Sequence, residues 1–378
     1  MDFKFLNVKT FYLTAVFFRL FYNFNQKNTN FFILTNYIIR HNMTLQISKL
    51  AHKELIDTIF GINDSLSFEN VSIAVFKYQY QNCPAYKQFC DALNLTPAKI
   101  TKLEDIPFMP ADFFRKHEIS CISKPPELCF YSSSTTGTTP SRHYVADLSI
   151  YDESINRCFE MFFGSPSKYC FLALLPGYLE RKNSSLVYMV KKLMELSGHK
   201  KSGFFLHDFK KLRDTLEELS DSGNKFMLIG VSHALLGFAE KYSLNLKDAI
   251  ILETGGMKGQ RKEIIRRELH ERLKEAFGVK EITSEYGMTE LLSQAYALKS
   301  GKFKTPNWMK VFFRELNDPL NNVMPGRNGS INIVDLANVH SCSFIATQDL
   351  GKQNPDSTFE VLGRMDNSEI RGCNLMVS

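Results

Sequence analysis

Five short segments carry residue types that could do chemistry together. The first, Tyr131 to Pro140, reads Y-S-S-S-T-T-G-T-T-P. Its hydroxyls at Ser133, Ser134, Thr135, Thr136 and Thr138, with Gly137 among them, offer small side chains, O–H donors and open backbone N–H groups. That combination suits a cluster of phosphate oxygens, although the same composition also serves a plain Ser/Thr loop. No G-x-x-x-x-G-K-[ST] pattern is present, so this is not a Walker loop. The second segment is Glu253-Thr254-Gly255-Gly256, where paired glycines at a strand's carboxyl end let the backbone approach a flat ligand or a phosphate; a tight turn is the alternative. The third, Ser284-Glu285-Tyr286-Gly287-Met288-Thr289-Glu290, places an aromatic face, a hydroxyl and a carboxylate within five residues. These suit stacking on a base, contact with a phosphate and ligation of Mg²⁺, or, alternatively, a helix-entry turn. The fourth and fifth are Thr347-Gln348-Asp349 and Gly363-Arg364-Met365-Asp366. An Asp can hold a ribose diol and an Arg can neutralise phosphate charge.

A different chemistry competes. Phe226 to Ile229 followed by Gly230-Val231-Ser232-His233-Ala234 has the strand, tight turn and helix of a serine-hydrolase nucleophile elbow. Ala234 stands where the second glycine belongs, and His270 and His340 are the only downstream histidines that could complete a triad.

The eight cysteines, at 83, 90, 121, 129, 158, 170, 342 and 373, include no C-x-x-C pair and no zinc-finger spacing with His. They read as reduced thiols, mostly small buried hydrophobes, in a cytoplasmic protein. The chain has 46 Lys+Arg against 40 Asp+Glu, a net charge of +6. Residues 1–42 hold five of the bases and one acid, so most of that excess sits at the amino end. The remainder is nearly neutral, which removes the electrostatic case for a nucleic-acid or membrane-surface partner. This first stretch has nine of the 32 Phe and no Gly, Pro or Glu. Its apolar run is too short for a transmembrane helix, and no small-residue cleavage site follows it. We expect an atypical extension outside the functional protein, which would then start at Met43.

The elements that must position these segments follow from periodicity. Apolar runs of strand length at 169–175, 226–229, 249–252 and 279–282 alternate with amphipathic helix patterns at 184–196, 208–219 and 261–277. Such alternation predicts an α/β fold with a mostly parallel sheet. An opening helix is expected over 45–59, and short strands at 311–313, 331–334 and 344–346 predict a small β subdomain. The expected division is therefore an extension (1–42), a helical part (43–130), an α/β core (131–300), a β subdomain (301–362) and a hinge with a tail (363–378).

Taken in order, these segments resemble the adenylate-forming (acyl-AMP) enzymes, and more closely the acyl-protein synthetase family, LuxE. The stretches that carry the likeness are E-T-G-G-M-K-G (253–259), S-E-Y-G-M-T-E-L-L-S-Q-A (284–295), P-N-W-M-K (306–310), D-L-A-N (335–338), F-I-A-T-Q-D-L-G (344–351) and V-L-G-R-M-D-N-S-E-I-R-G-C-N-L (361–375). The resemblance implies an adenylating core fold that binds ATP and Mg²⁺. It places Ser133 to Thr138 around phosphate, Gly255, Gly256 and Tyr286 beside the adenine, Gly287 among the nucleotide-binding residues, and Thr289 at the α-phosphate. Glu290 would hold Mg²⁺, Asp349 the ribose hydroxyls, and Arg364 the hinge. It further implies activation of a fatty acid, acyl loading onto Cys373, and a fatty-acyl or acyl-CoA reductase as partner. His143, beside the loop, is a candidate base or charge partner. Two departures stand out. The superfamily loop ends in Pro-Lys, whereas Pro140 here precedes Ser141-Arg142-His143, leaving Arg142 as a substitute cation. Only 14 residues follow Arg364, so the large lid domain of full-size members is expected to be lacking. A CoA-ligase-like activity and a non-catalytic nucleotide-binding subunit are the alternatives within this resemblance.

Overall fold

The computed structural model describes residues 50–133, 139–177, 183–255, 264–316, 321–323 and 326–365. The described chain opens with three helices, α1 (His52–Phe60), α2 (Ser65–Asn82) and α3 (Pro84–Ala92). Asp64 starts α2 by accepting the Ser67 N–H at 2.7 Å, and Pro84 suits the first turn of α3, where no N–H is needed. Phe68, Val71, Val75 and Phe76 of α2 are buried, and burying each such side chain stabilises the fold by about 1.5–3 kcal/mol. The sequence shows no clean stripe here because α2 is covered on several sides, Asn70, Ser72 and Gln79 included.

Next come β1 (Met109–Pro110), the single turn α4 (Phe113–Lys116) and a hairpin of β2 (Leu128–Tyr131) and β3 (Arg142–Val145). In the sequence the Ser/Thr-rich segment falls between these two strands. The α/β core then runs through α5 (Leu148–Phe163), β4 (Cys170–Leu174), α6 (Ser185–Ser197), β5 (Gly203–Phe204), α7 (Phe209–Asp221), β6 (Phe226–Val231), α8 (Ser232–Ala239), β7 (Ile250–Thr254), α9 (Arg266–Phe277), β8 (Thr283–Tyr286) and β9 (Ala295–Ala297). Its sheet has the order β5-β4-β6-β7-β8-β9. All neighbours pair in parallel except β9, which is antiparallel to β8. Strands β4 and β6 are buried throughout, as expected where helices cover both faces.

The strand expected at 279–282 lies four residues later, at 283–286. Thr283, Ser284 and Glu285 are polar, so an apolar-run criterion passes over them. They are nonetheless buried, because partners on other elements satisfy them: Ser284 Oγ lies 3.3 Å from His270 Nε2, and Glu285 accepts the Thr254 hydroxyl.

The last strands, β10 (Met309–Arg314), β11 (Asn328–Asp335), β12 (Phe344–Gln353) and β13 (Phe359–Arg364), form a second sheet that β1 joins beside β12. Antiparallel pairing sets Asp349 of β12 opposite Arg364 of β13. The seven described cysteines are unbridged. Among the described residues no helix is long and apolar enough to cross a membrane.

Candidate active site

The carboxyl ends of β6, β7 and β8 open onto one edge of the parallel sheet, where open α/β folds bind ligands. Gly255 follows β7 with φ +66°, a left-handed conformation that glycine adopts without a Cβ clash. Gly287 follows β8, and a Cβ there would strike the Glu285 carboxylate. Gly256, Ser134 to Thr138 and Cys373 lie outside the described residues. Ser133 sits at the base of the hairpin loop, which is closed by Ser132 N–H donating to Ser141 O at 3.1 Å and Ser141 N–H donating to Ser132 Oγ at 2.8 Å.

Tyr286 ends β8 and donates its hydroxyl to Asp349 Oδ2 at 2.7 Å. Its ring packs edge-on against Phe303 and Phe359. Burial pushes the Asp349 carboxyl up, opposed by the Tyr286 hydrogen bond and the charge of Arg364. Burial and Asp349 together push the Tyr286 hydroxyl up, so it stays a donor. Three residues far apart in sequence thus form one unit. Arg364 also acts on Glu290, which is buried and whose carboxyl is raised by that burial. A hydrogen bond from Ser141 and the charges of Arg364 and Arg115 oppose the rise.

The segment from Thr289 to Ser293 is gripped from three sides. His143 Nδ1 lies 2.9 Å from Thr289 O and its Nε2 lies 3.0 Å from Ser341 Oγ. Since the carbonyl accepts, Nδ1 carries the proton and Nε2 accepts from the serine. Asn338 Nδ2 donates to Glu290 O at 2.7 Å. Asp335 accepts from Leu292 N and Ser293 N, both at 2.9 Å, from Ser293 Oγ at 2.6 Å and from Ala337 N at 3.2 Å. Trp308 Nε1 completes the network on Ser293 Oγ at 2.8 Å. Behind it, the fully buried Gln79 of α2 donates to Asn338 O, Val339 O and Ser343 Oγ and accepts from Ser343 N. On the Asp349 side, Arg314 donates to Ile331 O, Asn332 Oδ1 and Thr347 O, while Thr347 Oγ1 accepts the Asp349 N–H at 3.1 Å.

His143 is therefore not placed as a catalytic base. It is 1% exposed, neither ring nitrogen is open to a substrate, and burial holds its pKa down at about 4. Its place in the site is to hold Thr289. Because the unfolded chain titrates near 6.5, stability from neutral His143 is complete above that pH and is lost as pH falls toward 4. Asp335 runs the other way, since burial raises its carboxyl to about 6 and its contribution is lost as pH rises through that value. Urea unfolding of wild type and His143→Gln separates them: between pH 6.5 and 4 the wild type is expected to lose about 3 kcal/mol more than the variant.

The roles of Gln79, Arg314, Asp335 and Asn338 were not read from the sequence. The available signal was polar residues inside apolar runs, as in I-N-I-V-D-L-A-N-V (331–339). The hydrolase alternative fails on geometry. Ser232 opens α8 after β6 as expected, but it is 2% exposed and its hydroxyl meets Glu253 Oε1 at 2.5 Å and the Gly255 carbonyl. His270 lies beyond that carboxylate, 3.9 Å from Glu253 Oε2, whereas a general base must touch the nucleophile.

The residues fit the implied Mg²⁺. Glu290 is a buried carboxylate hydrogen-bonded by Ser141 of the β2–β3 hairpin, and Mg²⁺ characteristically takes one or two carboxylates plus substrate phosphates. Among the described residues no His/Cys/Asp/Glu cluster could hold a metal by itself.

Comparison with known proteins gives the family and the fold. The family model described as "Acyl-protein synthetase, LuxE" matches residues 62–378. The chain belongs to the acyl-protein synthetase family, LuxE. Like the family, it is an ATP-dependent, acyl-activating ligase. A curated relative, the long-chain-fatty-acid–luciferin-component ligase of Vibrio harveyi, is 25% identical over 331 residues, covering 80% of this chain and 85% of that protein. Among solved structures, 2-hydroxyisobutyryl-CoA ligase in its postadenylation state with R3-HIB-AMP has a TM-score of 0.59 at 12% identity, over 79% of this chain and 68% of that one. The same ligase in its thioesterification state with 2-HIB-AMP and CoA has a TM-score of 0.59 at 14% identity, over 84% and 70%. The fold of this LuxE-family chain is thus that of an adenylate-forming core.

Proposed function

We propose that this LuxE-family protein activates a long-chain fatty acid with ATP and passes the acyl group to its own Cys373. The observation that supports the reading is the meeting of Tyr286 and Glu290, at the carboxyl end of the parallel sheet, with Asp349 and Arg364 of the second sheet. A fatty carboxylate is a poor electrophile. Its oxygen attacks the α-phosphorus of ATP, the bond to the bridging oxygen breaks, and pyrophosphate leaves with the electron pair. The acyl-AMP formed is activated at its carbonyl. The Cys373 thiolate then attacks that carbon and AMP departs, leaving a thioester.

In this scheme Asp349 holds the ribose hydroxyls, with Tyr286 and Gly255-Gly256 bordering the base. Thr289 donates its hydroxyl to the α-phosphate at a backbone position held by His143. Ser133 to Thr138 surround the outer phosphates. Glu290 holds Mg²⁺, which when bound supplies positive charge to the phosphate oxygens. The thioester suits a fatty-acyl reductase as the next protein in line. ATP and a free thiol together fit the cytoplasm.

Incubation with labelled fatty acids, with and without Mg-ATP, tests the scheme on wild type and Cys373→Ser. Label is expected on the wild type alone and only with ATP, while both proteins catalyse acid-dependent ATP–pyrophosphate exchange. Label retained on Cys373→Ser would remove that cysteine, and absence of exchange in both would remove adenylation.

A further inference from the structure

The loop departure noted in the sequence leaves a chemical gap: what cation meets the pyrophosphate? Arg142 does not fill it. In the hairpin register Phe130 pairs with His143 and Tyr131 with Arg142. Side chains alternate between faces, so Ser141 and His143 point inward to Glu290 and Thr289. Arg142 lies on the other face with Tyr131 and Tyr144, its guanidinium carbon 5.9 Å from the Tyr144 ring centre.

A different arginine reaches the site. The single turn α4 is wedged between β3 and β12. Ala111 N–H donates to Ala346 O at 2.9 Å, Gln348 Nε2 donates to Asp112 Oδ2 at 3.1 Å, and Phe114 packs edge-on against His143 at 5.6 Å. Arg115 therefore projects from a segment fixed at once to the strand of Asp349 and to the histidine that holds Thr289. Its Nε, like that of Arg142, is buried without a hydrogen bond; it lies 3.5 Å from Asp112 Oδ1 in an ion pair whose outer part is open to solvent. Glu290 feels the charge of Arg115 alongside that of Arg364.

We propose that Arg115 is a phosphate-binding residue of this site, contacting the β- and γ-phosphates of ATP and holding pyrophosphate as it leaves. The assignment rests on the adenylation reading above. When the bond from the α-phosphorus to the bridging oxygen breaks, that oxygen keeps the electron pair and the leaving group gains charge. A guanidinium is always protonated and presents donors in a fork that matches phosphate oxygens. Asp112 faces the Nε end across a 3.5 Å ion pair, and the two outer nitrogens supply four further N–H donors.

The test uses the full chain as wild type, Arg115→Ala, Arg115→Lys and Arg142→Ala. For Arg115→Ala, KM for ATP and for pyrophosphate in the exchange reaction is expected to rise about 10- to 100-fold, the loss of one charge-assisted contact. Affinity for AMP, which lacks these phosphates, and KM for the fatty acid should stay within about twofold. Arg115→Lys should recover part of the loss, and Arg142→Ala should stay near wild type. Equal weakening of ATP and AMP, a change confined to fatty-acid KM, or unchanged ATP and pyrophosphate KM would each overturn the assignment. Direct binding of ATP and of AMP gives the same comparison without turnover. A wild type that binds ATP but catalyses no exchange therefore counts against adenylation, while the ATP-to-AMP ratio in Arg115→Ala still decides Arg115.

Discussion

Glu290→Gln is expected to lower the acid-dependent ATP–pyrophosphate exchange rate about 1,000-fold, the scale of losing metal-assisted charge stabilisation at a transferring phosphoryl group. Glutamine keeps the volume and can still accept the Ser141 hydrogen bond, but it brings no negative charge to the Mg²⁺ of the proposed scheme. Stability should move the other way. Burial raises the Glu290 carboxyl, so the ionised form at neutral pH is a cost to the folded state. The glutamine variant should unfold in urea at the same midpoint or a higher one. This opposition of activity and stability marks a group kept for chemistry, and it can be read from exchange rates across a Mg²⁺ titration beside unfolding curves. An equal loss of both would instead make Glu290 a packing residue.

Asp335→Ala should have the largest effect on the fold, a loss of about 3–5 kcal/mol, because it strands buried donors rather than deleting one contact. Asp335 is fully buried and accepts from the Leu292, Ser293 and Ala337 N–H groups and the Ser293 hydroxyl. Asparagine retains one carbonyl oxygen and no charge, so Asp335→Asn should lose less than the alanine variant. Both should raise KM for ATP at temperatures where they remain folded, since the segment held by Asp335 directly follows Glu290. Calorimetric melting with matched exchange kinetics checks this. An alanine variant within about 1 kcal/mol of wild type would mean that water or a rearranged backbone satisfies those donors.

The two expectations show where sequence reading works. The order of glycines, hydroxyls and carboxylates from Tyr131 to Arg364 was legible, because each segment carries its own turn and hydrogen-bonding chemistry. So were helices such as α6, where Ser184 caps the start and Gly198 closes the end in a left-handed conformation. Strand β8 was displaced in the sequence reading because its residues are polar, and their burial depends on His270 and Thr254. His143 reads from sequence as a candidate base or charge partner beside a loop, yet its partners, Thr289 and Ser341, stand 146 and 198 residues away.

Sequence by itself determined which chemical groups this protein has, their order and the α/β framework, since propensity, capping and hydrophobic period act over a few residues. Only the tertiary structure decided which of those groups share a site. Strand alternation turns Arg142 to the face opposite His143, and α4 docks between two strands beside His143 and β12, the placement on which the Arg115 proposal rests. Whether a buried polar residue acts on substrate or supports its neighbour is settled by partners that meet it only after the chain has folded.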